Sequence, residues 1–287
     1  MPATTDDTSG RASDHTESFA RSMLAALHAA IEALRLGFTS TLGGRTVLFG
    51  RCLFFCLLML VLSALWETVA AERIAGAIAL PPGGFTLYVG VTEWITLAVP
   101  ALYLRLEDDI RGGSLDTHLL RPKSYLLQTL AHGFGAGLAR LTALGLTALA
   151  LLAVSDQPWP QVHTFALLLV LGPLALLVGL LLYAIAGLTA FWARRTLPFQ
   201  LVIQKFMFLL GGLFAPITLY PEAFSGFALC TPFAAHLYWA GAQMLEPSTT
   251  LALQGIAWQL AWILVLSAVC FAMWRSGVRK LVQQGGL

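Results

Sequence analysis

Of 287 residues, 57% are hydrophobic and only 11% are charged, and the mean hydropathy is +0.76. A soluble globular domain, with about a quarter of its residues charged, is excluded. The formal net charge of +2 comes from basic residues scattered over loop positions without forming a patch, so no nucleic acid partner is expected.

The chain reads as an all-α polytopic membrane protein. Residues 1–18 are rich in Thr, Ser and Asp and lack the basic-then-apolar pattern of a cleavable signal, so they are expected to form a disordered tail. Over 19–46 the pattern changes. Phe19, Met23, Leu27, Ile31, Leu34 and Phe38 recur at helical spacing opposite Arg21, His28, Glu32 and Arg35. That amphipathic helix either lies in the membrane interface or packs on the rest of the protein.

The membrane region is expected over 47–274, followed by a short basic tail over 275–287. Val47 to Trp66 forms the first span, with Arg51 near one end and Cys52 and Cys56 one turn apart in packing or lipid-facing positions. Phe85 to Leu104 forms the second and carries Glu93 near its middle. The third run, Tyr125 to Val154, includes Arg140 and exceeds the roughly twenty residues a bilayer needs, so its first turns are expected outside the hydrocarbon. Val162 to Trp192 forms the fourth and Gln200 to Tyr220 the fifth, interrupted by Gly211, Gly212 and Pro216. From Leu213 to Met244 the chain is apolar, broken by Pro216, Pro221 and Pro232, and free of Lys and Arg, which reads as re-entrant segments forming an outer gate. Leu251 to Trp274 is the sixth span.

Counting cations at the span ends orients the chain. Arg35, Arg45 and Arg51 precede span one; Arg105, Arg111, Arg121 and Lys123 lie between spans two and three; Arg194 and Arg195 follow span four; Arg275, Arg279 and Lys280 follow span six. The opposite loops hold Arg73 alone. By the positive-inside rule both termini are cytoplasmic, as an even number of spans requires.

The one densely charged loop runs from Arg105 to Lys123. Within it, the segment 112–122 has the grammar of a short amphipathic helix: Gly112-Gly113 breaks what precedes, Ser114 can cap, Leu115, Leu119 and Leu120 share a face, and Arg121-Pro122 stops it.

Catalytic chemistry finds few candidates. Lys123, Lys205 and Lys280 are preceded by Pro, Gln and Arg, so the chain has no G-x-x-x-x-G-K-[ST] loop and binds no ATP that way. A Mg²⁺ site of an intramembrane transferase would need more carboxylates than Glu107, Asp108 and Asp109 with Asp116 supply. His15, His28, His118, His132, His163 and His236 stand singly, and neither a G-x-S-x-G elbow nor an H-E-x-x-H helix occurs. No metal, cofactor or catalytic residue is expected on this chain.

The passage E-D-D-I-R-G-G-S-L-D-T-H-L-L-R-P-K resembles the segment between the second and third spans of bacterial ABC exporter permeases of the type-2 class, with their I-R-x-G-x-L-D-x-x-L-L-R-P pattern. Gly211 to Pro216, Tyr220-Pro221 and Thr231-Pro232-Phe233 are similar to that class's outer region, and M-W-R-S-G-V-R-K to its exit from span six. The tail Leu281-Val282-Gln283-Gln284 replaces that class's tyrosine-containing end.

The resemblance implies a permease subunit in a bacterial inner membrane, paired with a second copy or a paralogue and driven by two ATP-binding subunits that hold the ATP and Mg²⁺. It makes the segment around Ser114 to Leu120 the coupling helix. Leu115, Leu119 and Leu120 then serve as anchors in a cleft of the ATPase, and Arg111, Asp116 and Arg121 as rim charges. A hydrophobic or amphipathic substrate such as a drug, a lipid or a lipid-linked molecule is expected. The competing readings are a secondary transporter or channel using Glu93 and Arg140, which are predicted to lie at similar depth and to approach each other, and an intramembrane transferase.

Overall fold

The computed structural model describes residues 8–71, 83–115, 124–213 and 215–283, and among these no strand occurs. The helices are α1 (Thr8–Gly43), α2 (Arg45–Ala71), α3 (Gly84–Ala98), α4 (Leu102–Arg111), α5 (Tyr125–Val154), α6 (Val162–Leu188), α7 (Leu197–Leu210), α8 (Glu222–Leu229), α9 (Pro232–His236), α10 (Tyr238–Ala242) and α11 (Thr249–Gln283). Among the described residues, five helical stretches are long and apolar enough to cross a membrane: α2, α3 continued by α4, α5, α6 with the 3₁₀ turn after it, and α11.

The bundle is built around α6. Its sequence is apolar on every side, and such a helix must be wrapped by others. Leu171, Ala175, Leu176, Val178, Leu180, Ala184 and Leu188 are wholly buried, and α3, α4, α5, α7, α9, α10 and α11 all pack on it. The outer helices differ. α2 leaves Leu53, Leu57, Leu60 and Val61 exposed and α11 leaves Leu253, Leu260 and Leu264 exposed, as helices bordered by lipid or another subunit do.

Three expectations change. First, α1 starts at Thr8, inside the stretch read as a tail, and its second half lies along α5 so closely that a Cβ on Gly37 or Gly135 would overlap the backbone of His132 or Leu34. Met23, Leu27 and Ile31 are exposed, so α1 both packs on the protein and presents an apolar face.

Second, the run Phe85 to Leu104 is two helices, not one. Pro100 has no N–H to continue the ladder and disfavours helical geometry at the residue before it, so α3 ends at Ala98 and α4 restarts at Leu102.

Third, the run Gln200 to Tyr220 is α-helical only through Leu210, where α7 ends; Gly212 follows at φ +69°, in the left-handed region that glycine tolerates.

Candidate functional site

The Pro100 break leaves the last carbonyls of α3 without intrahelical donors, and in an apolar bundle each needs a partner from elsewhere. Arg51 of α2 donates from Nη1 to the Leu97 oxygen at 2.8 Å, and Arg140 of α5 donates from Nη1 to the Val99 oxygen at 3.4 Å. Two cations thus meet the negative end of the α3 dipole. Glu93, 5% exposed, makes no hydrogen bond or ion pair among the described residues, and the expected pairing of Glu93 with Arg140 does not form. The reason is register. Trp94 Nε1 donates to Leu141 O, which sets Val99 rather than Glu93 opposite Arg140.

At the basic end of the bundle, the charged residues of α4 are tied into a frame. Glu107 accepts from the backbone N–H of Thr196 at 2.9 Å and from the Thr196 hydroxyl, which places a carboxylate at the positive N-terminus of α7. Arg195, largely exposed, adds a 3.7 Å ion pair to the same carboxylate. Asp109 accepts from the Tyr125 hydroxyl at the start of α5 and from the Ser114 hydroxyl at 3.1 Å, with Arg105 3.9 Å away. These carboxylates serve as hydrogen-bond acceptors for α5, α7 and Ser114. No group of three His, Cys, Asp or Glu side chains able to hold a metal occurs among the described residues.

Between α4 and Ser114 the chain turns through Gly113, at φ +74°. Ser114 and Leu115 begin a new helical turn. Leu115 is wholly buried in the protein's own core, and this corrects its reading as an anchor for a partner. Arg111 likewise turns back, donating to the Ala193 oxygen at 3.1 Å in the loop after α6. Asp116, Leu119, Leu120 and Arg121 lie outside the described residues.

A family model described as ABC-2 family transporter protein matches residues 83–285. The chain belongs to that family. No individually curated protein matches it significantly. This ABC-2 protein is therefore a multi-pass membrane permease subunit of an ABC transporter, which works with separate ATP-binding subunits and carries no ATP site itself.

At the other end of the ABC-2 chain, residues 211–244 fold back into the bundle. Tyr88 donates to Gly212 O at 2.6 Å and Thr92 to Leu213 O at 3.1 Å, so α3 meets the carbonyls freed where α7 stops. Pro216 precedes a 3₁₀ turn, Pro221 precedes α8, and Pro232 opens α9 behind Thr231, whose hydroxyl accepts from the Ala234 N–H at 3.4 Å. Ala234, Ala235 and His236 are wholly buried; His236 Nδ1 lies 2.8 Å from Ala175 O, and Gln259 donates to Leu171 O and Ala235 O.

Pro100, Tyr88, Thr92, Thr196 and Gln259 were not singled out from the sequence, and Arg51 was read only as a cation at a span end. Pro100 inside an apolar run was the available signal, because a proline there frees carbonyls that must be met.

Proposed function

We propose that this permease is one half of an ATP-driven exporter for a hydrophobic or amphipathic substrate, built from two permease chains and two ATP-binding subunits in a bacterial inner membrane with both permease termini cytoplasmic. In this reading α7 is a short fifth of six spans, residues 213–244 form a re-entrant outer gate, and the helix beginning at Ser114 couples the ATPase to the spans.

The observation that carries the coupling role is the frame at the base of that helix. Asp109 binds Ser114 on one side and Tyr125 on the other, so a push delivered at residues 112–122 reaches α4 and α5 together. Gly113 supplies the pivot. Leu119 and Leu120 are the anchors this reading keeps for the ATPase cleft, with Asp116 and Arg121 as rim charges.

The test is Leu119→Asp in the intact complex. The permease is expected to insert normally while ATPase co-purification or substrate-stimulated hydrolysis is abolished; unchanged hydrolysis and transport would overturn the coupling role.

A further inference from the structure

At the basic end, a cleft of about 230 Å³ opens between the C-terminus of α4, the 3₁₀ turn Thr189–Phe191 and the last turns of α11. It is lined by Ile110, Arg111, Ala190, Phe191, Lys280 and Leu281. A water molecule takes about 30 Å³ of the liquid, so a hydrated tetrahedral anion fits.

Two cations from different helices line this cleft, and each is held in place through one donor. Lys280 Nζ donates to Phe191 O at 3.2 Å and Arg111 Nη1 to Ala193 O at 3.1 Å, leaving the remaining N–H groups of both for a ligand. The close approach is set by Gly277, where a Cβ would overlap the Phe191 ring, and Lys280 lies one turn further along the same face. The neighbouring carboxylates are engaged elsewhere: Glu107 with Thr196 and Arg195, Asp109 with Tyr125 and Ser114. Among the described residues no carboxylate forms an ion pair with Arg111 or Lys280, although Glu107 feels the Arg111 charge at longer range.

Its surroundings point to a lipid source for the anion. Phe191 packs edge-on against Trp192 and Trp274, and Trp274 stacks on Tyr125 with centroids 5.2 Å apart. Tryptophan and tyrosine gather where headgroups meet hydrocarbon, and basic pockets between helices at that level suit phosphate headgroups. Arg194, Arg195, Arg275 and Arg279 are close to the lining residues in sequence, and all four are exposed. Ile110 and Phe191 form apolar walls.

We propose that Arg111 and Lys280 form a binding site for the phosphate group of an anionic phospholipid, held at the junction of α4, α6 and α11. It rests on the orientation proposed above only for the leaflet meant, which is then the cytoplasmic one. Bound there, the lipid bridges the helix that leads into the coupling segment and the helix that ends the chain.

Native mass spectrometry of the detergent-solubilised full chain tests this without the ATPase. Titration with phosphatidylglycerol is expected to retain bound lipid at least about tenfold more tightly than phosphatidylcholine, a difference of about 1.4 kcal/mol. That preference is expected to vanish in the Arg111→Gln, Lys280→Gln double variant, to persist in Lys280→Arg, and to persist in Arg279→Gln. Should the double variant fail to fold, Lys280→Gln against Lys280→Arg makes the same comparison. Equal binding of the two lipids, equal loss in Arg279→Gln, or displacement of the lipid by millimolar inorganic phosphate would overturn the assignment. So would a double variant that loses ATPase binding while its lipid preference is intact.

Discussion

At Gly113, after α4, and at Gly212, after α7, the backbone enters the left-handed region with φ of +74° and +69°. A Cβ on Gly113 would meet nothing within 4 Å, whereas one on Gly212 would lie 2.7 Å from the Tyr88 hydroxyl. Around the first, charged side chains do the binding: Asp109 takes hydroxyl hydrogens from Ser114 and Tyr125, and Arg111 reaches to a loop carbonyl. Around the second, the acceptors are main-chain carbonyls, met by Tyr88 and Thr92 from a neighbouring helix. A helix that stops beside water can leave its last carbonyls to solvent, but one that stops inside an apolar bundle needs donors from the protein. The same bend therefore borders open space at one end of this permease and is a packed corner at the other.

The largest effect is expected from Gly212→Val. A branched side chain at positive φ costs at least about 1–2 kcal/mol in backbone strain. Displacing Tyr88 also leaves a buried carbonyl unmet, at about 1–3 kcal/mol. The loss should appear as a lower unfolding temperature in detergent and a poor yield of monodisperse protein. A midpoint equal to that of the unmodified permease would show that the corner is looser than its contacts suggest. Tyr88→Phe isolates the second contribution. It keeps the ring against Gly241 but removes the hydroxyl that serves Gly212 O, so a destabilisation of about 1–3 kcal/mol is expected in the same measurement.

The two ends also differ in how much the sequence discloses. Gly112-Gly113 between charged residues and the prolines of 213–244 were legible because glycine and proline act through local backbone geometry. The all-helical class and five of the six expected spans followed from apolar length. Partners were not legible in the same way. Arg140 was matched with Glu93 by counting residues from the charged loop, but the Pro100 break offered carbonyls to Arg51 and Arg140 while Glu93 stayed buried without either. Depth along a helix says nothing of azimuth, and backbone acceptors freed by a break leave no mark in side-chain composition. Leu115 failed for a related reason. Its spacing with Leu119 and Leu120 defines a shared face but not whether that face turns toward a partner or inward, and Leu115 turns inward.

Tyr125→Phe tests the frame at the basic end. Removing the hydroxyl that Asp109 accepts is expected to cost about 1 kcal/mol of stability, less than Tyr88→Phe, because Asp109 keeps Ser114 and Arg105 and the site is partly hydrated. The stacking of Tyr125 on Trp274 is kept, so the loss reports the hydroxyl's hydrogen bonds, with Asp109 and with Thr129. In the complex with its ATPase, the same change is expected to lower transport per ATP hydrolysed while co-purification of the two subunits is unaltered. An equal fall in hydrolysis and transport would place Tyr125 in assembly instead of transmission.

The smallest effect on stability is expected from Gly113→Ala. Open space surrounds the added methyl, so strain at φ +74° is the whole penalty, about 1 kcal/mol, and an exposed loop relieves part of it by moving. Gly212→Ala carries the same backbone strain plus the clash with Tyr88, so the difference between the two alanine variants, read from their unfolding midpoints, measures the contact and not the conformation. In coupling the order should reverse. In the proposed coupling role Gly113 is the joint between α4 and the segment starting at Ser114, and stiffening it is expected to reduce substrate-stimulated hydrolysis more than Gly212→Ala does in those molecules that fold. If Gly113→Ala leaves that stimulation intact, the joint is a fixed corner, and motion from the ATPase must enter through Pro122 and α5.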